Sequence, residues 1–284
     1  MRSLTFPDIQ CTDPFGTCLK SVSIKHVDYI SRMLDISHTV AAEWVDFKRL
    51  VVNQDLDQLT YCERGKVKTI IAGDVKKSEL RALYEIHMLK KGSKARKIYD
   101  ALRVTDQYCP LCGVKKVATL DHYLPKSRYP LLSVNPENLV PACRECNTVK
   151  LDKIFTKKEE HTLYPYDEAP HFYEEDWITV NVSVVGGQFA FEFLAMPPQH
   201  WPQVDKERVI NHFKVFNLAE TYKSSIIEHK TAYNISCKML WELGKEEMVE
   251  RWCRECLKRE KNFSHLRAAY RGILANVHLC AQLT

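Results

Sequence analysis

The amino-acid sequence predicts an α+β protein that is mainly helical, with a small compact core between helical N- and C-terminal regions. Three observations lead to this prediction. Several stretches carry apolar residues at helical spacing, a stretch after residue 177 alternates like a β-hairpin, and two C-x-x-C pairs bracket a thirty-residue insert. The 284 residues suffice for one large domain or two to three small ones.

Residues 1–104 are predicted to form a mainly helical N-terminal region. Pro7, Pro14 and Gly16 predict an irregular course over the first 35 residues. Helices are predicted over residues 37–52, 79–90 and 94–102. In the second of these, Leu80, Leu83, Tyr84 and His87 recur at the i, i+3, i+4, i+7 spacing of one helix face.

Residues 159–284 are predicted to form a C-terminal region with a β-hairpin and helices. In WITVNVSVVGGQFAFEFLA, valines alternate before Gly186 and Gly187, and phenylalanines alternate after them. Further helices are predicted over residues 218–243, 245–260 and 264–278.

Composition narrows the class of protein. Hydrophobic residues make up 45% and charged residues 27% of the chain, values typical of a globular protein. The longest apolar runs are too short to span a membrane, and the N-terminal MRSLTFPDIQCTD lacks the apolar segment of a secretory signal. We therefore expect no membrane contact and a cytoplasmic location. The sequence leaves the oligomeric state open.

Four of the eleven cysteines have the spacing of a zinc site. Cys109 and Cys112 form one C-x-x-C pair, and Cys143 and Cys146 form a second. A pair at this spacing lets two thiolates reach one ion from a single tight turn, and two pairs complete a closed tetrahedral site. The pattern predicts a structural Zn²⁺ that holds both ends of the insert. The alternative is four unrelated buried thiols.

The tetrapeptide Cys-Arg-Glu-Cys occurs a second time, with Cys253 and Cys256 at its ends. It lies in VERWCRECLKREK, a strongly helical run in which both cysteines share a face with Trp252 and Leu257. We interpret this pair as helix packing; a redox or metal role is the alternative.

The positive charge of the chain is concentrated around the predicted zinc site. The net charge is +5, and the segment from Cys109 to Lys158 contains nine Lys or Arg and four Asp or Glu, whereas the remainder carries 32 of each sign. Such a local excess is where a phosphate backbone would be bound.

Three motifs in this segment, CPLC, LDHYLPKS and NPENLVPACRECNTVK, occur in the order found in a known family. They resemble the HNH endonucleases of the zinc-bearing kind, also described as ββα-metal nucleases. The resemblance implies a small zinc-clamped ββα-metal core over residues 105–158, flanked by the helical regions, that hydrolyses phosphodiester bonds of DNA. The N-terminal and C-terminal regions lie outside it.

The resemblance also implies a role for each motif residue. His122 stands where the family has its general base, and Asp121 where it has a metal ligand. Asn147 takes the last motif position, often a histidine, where its amide oxygen can still coordinate Mg²⁺ or Mn²⁺. Asn138 stands where the family braces the loop and orients the histidine. Lys150 matches a basic residue near the phosphate.

The chemistry of these side chains agrees with such roles. Phosphodiester hydrolysis needs an activated water and a cation against the developing charge. An imidazole can serve as the base near neutral pH, and carboxylate and amide oxygens suit Mg²⁺. The basic residues Lys126, Arg128, Lys150 and Lys153 are predicted to bind nucleic acid.

A second, more general resemblance concerns LYPYDEAPHFYEEDWI and the hairpin and helices after it. The layout resembles the nuclease subunit of Septu-type bacterial anti-phage systems, which implies a regulatory ATPase partner. The alternative to an enzyme is a zinc-stabilised module that binds nucleic acid or protein without catalysis.

Overall fold

The structure is a computed structural model that describes residues 1–104, 107–260 and 264–284. The chain divides into two units. The N-terminal unit contains Arg2–Leu111 and Lys115–Glu168, and the C-terminal unit contains Ala169–Thr284 with Met1 and Cys112–Val114. The predicted α+β, mainly helical fold is confirmed. The first two positions of the predicted 105–158 module, Thr105 and Asp106, lie outside the described residues.

The N-terminal unit begins with three α-helices, a small two-stranded sheet and two further helices. These are α1 (Pro14–Leu19), α2 (Val27–Asp35), α3 (Ser37–Val52), β1 (Ile70–Ala72), β2 (Val75–Lys76), α4 (Lys77–Ala82) and α5 (Lys94–Arg103). After α4 the helix widens into a π-helical segment, Leu83–Met88. The helices predicted over 37–52 and 94–102 are confirmed, and the one predicted over 79–90 changes type partway.

The prediction of an irregular course holds for residues 1–13 and is wrong for most of residues 14–35, because α1 and α2 lie there. Pro14 occupies the first turn of α1, where a missing N–H costs no hydrogen bond and the fixed φ favours the helix. The Asp13 carboxylate accepts a hydrogen bond of 2.8 Å from the Gly16 N–H and caps the helix. The proline therefore starts a helix at this position.

Two strands and a helix follow α5, in the ββα order that the family resemblance implies. They are β3 (Thr119–His122), β4 (Leu139–Ala142) and α6 (Arg144–Lys150). The strands are antiparallel, with Leu120 opposite Pro141 and His122 opposite Leu139. Leu120, Val134 and Leu139 are buried in one apolar cluster with side chains of α1 to α5. The hairpin therefore rests on the helices that precede it.

The C-terminal unit is a β-hairpin covered by helices. Its elements are α7 (His171–Glu174), β5 (Ile178–Val185), β6 (Gln188–Ala195), α8 (Gln203–Val215), α9 (Leu218–Arg259) and α10 (His265–Ala275). Gly186 and Gly187 adopt φ of 57° and 72°, as the two-residue hairpin turn requires. Within α9, Gly244 and Lys245 leave helical geometry, so the predicted break between residues 243 and 245 is confirmed.

Candidate active site in the hairpin and helix

The four predicted zinc cysteines converge. The Sγ atoms of Cys109, Cys112, Cys143 and Cys146 all lie within 4.8 Å of one another, and all four residues are buried. Tetrahedral coordination with Zn–S bonds of about 2.3 Å sets sulfurs about 3.8 Å apart, so the group fits a zinc ion. Cys143 is also the N-cap of α6, since its Sγ accepts from the Cys146 N–H at 3.4 Å. The cluster therefore lies where β4 ends and α6 begins.

His122 is the last residue of β3 and is buried. Its Nε2 lies 2.8 Å from the main-chain oxygen of Ser133. A carbonyl oxygen can only accept, so this contact assigns the hydrogen to Nε2 and leaves Nδ1 able to accept a proton. Burial lowers the pKa of His122 well below its ordinary value, the charge of Lys126 adds to this, and the Ser133 carbonyl opposes it. Burial therefore favours the neutral form of the ring.

The ring of Tyr84 packs against His122. The two ring centroids are 4.4 Å apart, and the planes meet at 73°, an edge-to-face contact. Tyr84 belongs to the π-helical segment, and its hydroxyl donates to the Leu120 carbonyl at 3.4 Å. The imidazole is thus fixed by a hydrogen bond at one nitrogen and by an aromatic ring from another element.

Asp121 and Lys150 form a buried pair. The Lys150 Nζ donates to the Asp121 Oδ2 at 3.2 Å and to the His122 main-chain oxygen at 2.7 Å. Burial raises the pKa of the Asp121 carboxyl, and the Lys150 charge opposes that rise. Burial likewise lowers the pKa of the Lys150 amine, and the Asp121 charge opposes it.

In the structure, Lys150, which was predicted to lie near the phosphate, is engaged in this pair. The lysine side chain is 4% exposed and is directed into the fold towards β3. Its position follows from α6, whose last residue is Lys150 and which packs on β3. The ammonium therefore neutralises Asp121 and ties the helix to the strand.

Asn138 braces the loop between the two strands. Its Oδ1 accepts from the Leu124 N–H at 2.7 Å, and its Nδ2 donates to the main-chain oxygens of Leu124 at 2.9 Å and Leu132 at 3.3 Å. The side chain is fully buried. These bonds hold the chain that follows His122 against the segment that precedes Ser133.

A cavity of about 290 Å³ in the N-terminal unit brings several predicted residues together. Asp121, His122, Asn147 and Lys126 all line it. Asn147 reaches it from α6, while the other three come from β3 and the turn after it. The lining of this cavity thus includes residues that carry an imidazole, a carboxylate, an amide and an ammonium.

The other predicted nucleic-acid contacts lie elsewhere. The Arg128 guanidinium stacks over the Tyr61 ring, 4.9 Å from its centroid, and Arg128 does not line this cavity. Lys153 is exposed beyond the end of α6 and is also outside the lining.

The cavity also contains residues that the motifs did not indicate. Arg81 lines it from α4, and Tyr84 lines it from the π-helical segment. Ser127 contributes a buried hydroxyl with no hydrogen-bond partner among the described residues. Tyr84 was visible in the sequence as part of an apolar stripe, which indicates packing and carries no sign of a site. Arg81 carried no signal, because it lies forty residues before Asp121.

The comparison with protein families defines the class to which this segment belongs. The sequence model of the HNH endonuclease family matches residues 108–153. The chain therefore carries an HNH endonuclease domain, and the resemblance drawn from the motifs is confirmed. This domain supports a nuclease as the class of protein.

Two individual proteins are each similar to a part of the chain. Protein ea31 of Escherichia phage lambda is 37% identical over 164 residues, which is 57% of this chain and 55% of that protein. Septu protein PtuB of Bacillus thuringiensis is 37% identical over 62 residues, 22% of this chain and 23% of PtuB. The chain thus matches about half of the first relative and a quarter of the second. No solved structure matches the chain.

Across the described ranges, every helix is too short or too polar to cross a lipid bilayer.

Proposed function

We propose that this protein is a metal-dependent HNH endonuclease that hydrolyses phosphodiester bonds of DNA. The observation that carries the proposal is the common cavity of Asp121, His122 and Asn147 within the HNH domain. A module that only bound a partner would have no use for an imidazole in one cavity with a carboxylate and an amide.

In this proposal His122 is the general base. Its Nδ1 accepts a proton from the attacking water, while the hydrogen bond from Nε2 to Ser133 keeps the ring in the required tautomer. Asn138 positions the histidine by holding both ends of the loop. General-base catalysis of this kind contributes about 10²- to 10⁴-fold to a rate.

Asp121 and Asn147 would hold the catalytic Mg²⁺ or Mn²⁺. Their carboxylate and amide oxygens are hard donors, and Lys150 contacts Oδ2 of Asp121, so Oδ1 is the oxygen we assign to the metal. When bound, the ion would stabilise charge on the phosphate. The four cysteines would hold a structural Zn²⁺, which supplies no open position for substrate.

The charge distribution favours a nucleic acid as the substrate, and we assign DNA because the HNH resemblance implies it. The excess of basic residues falls in the segment from Cys109 to Lys158, which contains the predicted site, and one of them, Lys126, lines the cavity. Neutralising phosphates with such cations supplies most of the non-specific affinity of a DNA-binding protein.

A plasmid-nicking assay with Mg²⁺ or Mn²⁺ tests the proposal. We expect His122→Ala to lower nicking by about 10²-fold or more, because the base is lost. His38→Ala, which removes an exposed histidine of α3, is the matched control and should nick like the wild type. Equal nicking by His122→Ala and the wild type would refute His122 as the base and this cavity as the nuclease centre.

One observation favours the non-catalytic alternative, a zinc-stabilised binding module. The Lys150 ammonium already contacts the carboxylate that a metal would need. Calorimetric titration with Mn²⁺ separates the two readings, since an endonuclease must bind the ion and a binding module need not. Absence of Mn²⁺ binding in a zinc-loaded protein that still binds DNA would establish the alternative.

We further infer a role in bacterial anti-phage defence with a regulatory ATPase partner. The similarity to Septu protein PtuB supports it, whereas the relative from phage lambda does not add to it. Co-expression with the product of the adjacent gene, followed by phage plating, is the test. Co-purification and reduced plating that depend on His122 are expected, and failure of the two proteins to associate would contradict the inference.

A further inference from the structure

A carboxylate from outside the HNH domain stands between two cations of the cavity. The Glu85 Oε1 lies 2.9 Å from the Arg81 Nη2 and 3.7 Å from the Lys126 Nζ. Arg81 and Lys126 both line the cavity that contains His122 and Asp121. Glu85 itself is 43% exposed at its side chain.

Both cations are only partly exposed to solvent. The side chains of Arg81 and Lys126 are 28% and 25% exposed. The Lys126 Nζ lies over the Tyr84 ring, 5.3 Å from its centroid. The Arg81 Nε is buried and has no hydrogen-bond partner among the described residues.

We infer that Arg81 and Lys126 form a phosphate-binding subsite and that Glu85 competes with the phosphate for it. A phosphodiester carries one negative charge on two oxygens, as a carboxylate does, and both suit a guanidinium and an ammonium. The competing pair is an i, i+4 contact on a partly exposed helix face, a type of ion pair that is weak. A DNA phosphate can therefore displace Glu85 at little cost.

The π-helical segment explains why these groups face one another. Glu85 and Tyr84 lie in Leu83–Met88, where the turn is wider than in an α-helix. This segment puts Tyr84 against His122 and Lys126, and Glu85 beside both cations. Residues outside the family match at 108–153 thus complete the wall of the cavity.

The inference rests on the proposed function, since it deepens how the same cavity binds its substrate. It assigns part of the N-terminal region the task of holding a phosphate of the bound strand. It also predicts that the wild-type chain binds DNA less tightly than a variant in which residue 85 does not compete for Arg81 and Lys126.

The test is fluorescence anisotropy of a labelled duplex DNA, without added divalent metal, in the His122→Ala background so that no cleavage interferes. We expect Glu85→Gln to tighten binding by about fivefold at low salt and Arg81→Ala to weaken it by a similar factor. In the Arg81→Ala background, Glu85→Gln should tighten DNA binding much less than it does when Arg81 is present, because the two residues share one subsite.

Glu250→Gln is the matched control. Glu250 pairs with Arg254 at the same i, i+4 separation and the same 2.9 Å distance, but in α9. It therefore measures the effect of removing one negative charge anywhere on the chain. If Glu85→Gln tightens binding no more than Glu250→Gln does, the subsite is refuted.

Nicking by the wild-type protein separates this inference from the proposed function. A wild type that does not nick, together with a specific gain in Glu85→Gln, would leave the subsite standing and remove the nuclease. If the wild type nicks DNA but Glu85→Gln and Glu250→Gln change binding equally, the nuclease assignment would stand and the subsite would be refuted. Thermal melting of each variant verifies that the fold is intact.

Discussion

At the scale of the residue, the site depends on how one imidazole is held. His122 has a hydrogen bond to the Ser133 carbonyl on one side and the Tyr84 ring against it. The residues of the motifs do not include Ser133 or Tyr84, yet their two contacts together set the tautomer and the orientation of the His122 ring. Asn138 acts one step further back, through the loop that carries Ser133.

Asn138→Ala should therefore impair both stability and turnover. It removes three hydrogen bonds of a fully buried side chain and leaves main-chain groups of Leu124 unpaired, which costs about 2–4 kcal/mol in the free energy of unfolding. Because the variant displaces His122 without touching substrate, kcat should fall while KM stays near the wild-type value. Urea unfolding and steady-state nicking measure the two effects.

Asn135→Ala in the same loop is the comparison for this prediction. The Asn135 Oδ1 accepts one hydrogen bond, of 3.1 Å, from the Glu137 N–H. We expect a smaller loss of stability, about 1 kcal/mol, and little change in kcat. Equal kinetic effects of the two alanine variants would mean that Asn138 has only a general structural role.

At the scale of the element, the cysteine cluster joins the end of β4 to the start of α6. The helix has seven residues, too few to be stable by itself. Its N-cap is a cysteine of the cluster, and its last residue, Lys150, donates a hydrogen bond to the main-chain oxygen of His122 in β3. We therefore expect zinc to determine whether α6, and with it Asn147, is in place.

Cys146→Ser should lose zinc and lower the Tm by about 10 °C or more, because metal binding and folding of the module are coupled. Cys256→Ser, at the end of the second Cys-Arg-Glu-Cys, is the control and should retain zinc. Zinc content by elemental analysis and melting by circular dichroism measure the outcome. A Cys146→Ser protein with full zinc content would contradict the four-cysteine site.

Removing Mg²⁺ or Mn²⁺ should act differently from removing zinc. The oxygen donors Asp121 and Asn147 lie on elements already held by the cysteines, by Lys150 and by the core. Withdrawing the divalent ion should abolish cleavage and shift the Tm by no more than about 2 °C. A large fall in Tm would mean that the catalytic ion has a structural role as well.

At the scale of the whole molecule, the sequence predicts the features that depend on the spacing of residues close together in the chain. The cysteine pairs, the Gly-Gly hairpin and the helix break at Gly244 could be predicted, because each depends on residues close in the chain. The common cavity of Asp121, His122 and Asn147 agrees with the ββα core that the family resemblance implies. Each of these features depends on residues or elements that are neighbours along the chain.

What could not be predicted depends on long-range packing. The contact of Glu85 with Lys126 joins residues 41 positions apart, and nothing in either local pattern indicates it. The inward direction of Lys150 depends on how α6 rests on β3, which a count of helical positions does not fix. Pro14 was misinterpreted because a proline can begin a helix as well as end one.

The manganese dependence of single-turnover cleavage tests the central claim most directly. In zinc-loaded protein, Asn147→Ala should raise the Mn²⁺ concentration for half-maximal rate by about tenfold or more, while zinc content stays as in the wild type. His122→Ala should lower the maximal rate and leave that concentration unchanged. An unchanged manganese midpoint in Asn147→Ala, with normal cleavage, would contradict the assignment of this cavity as the catalytic centre.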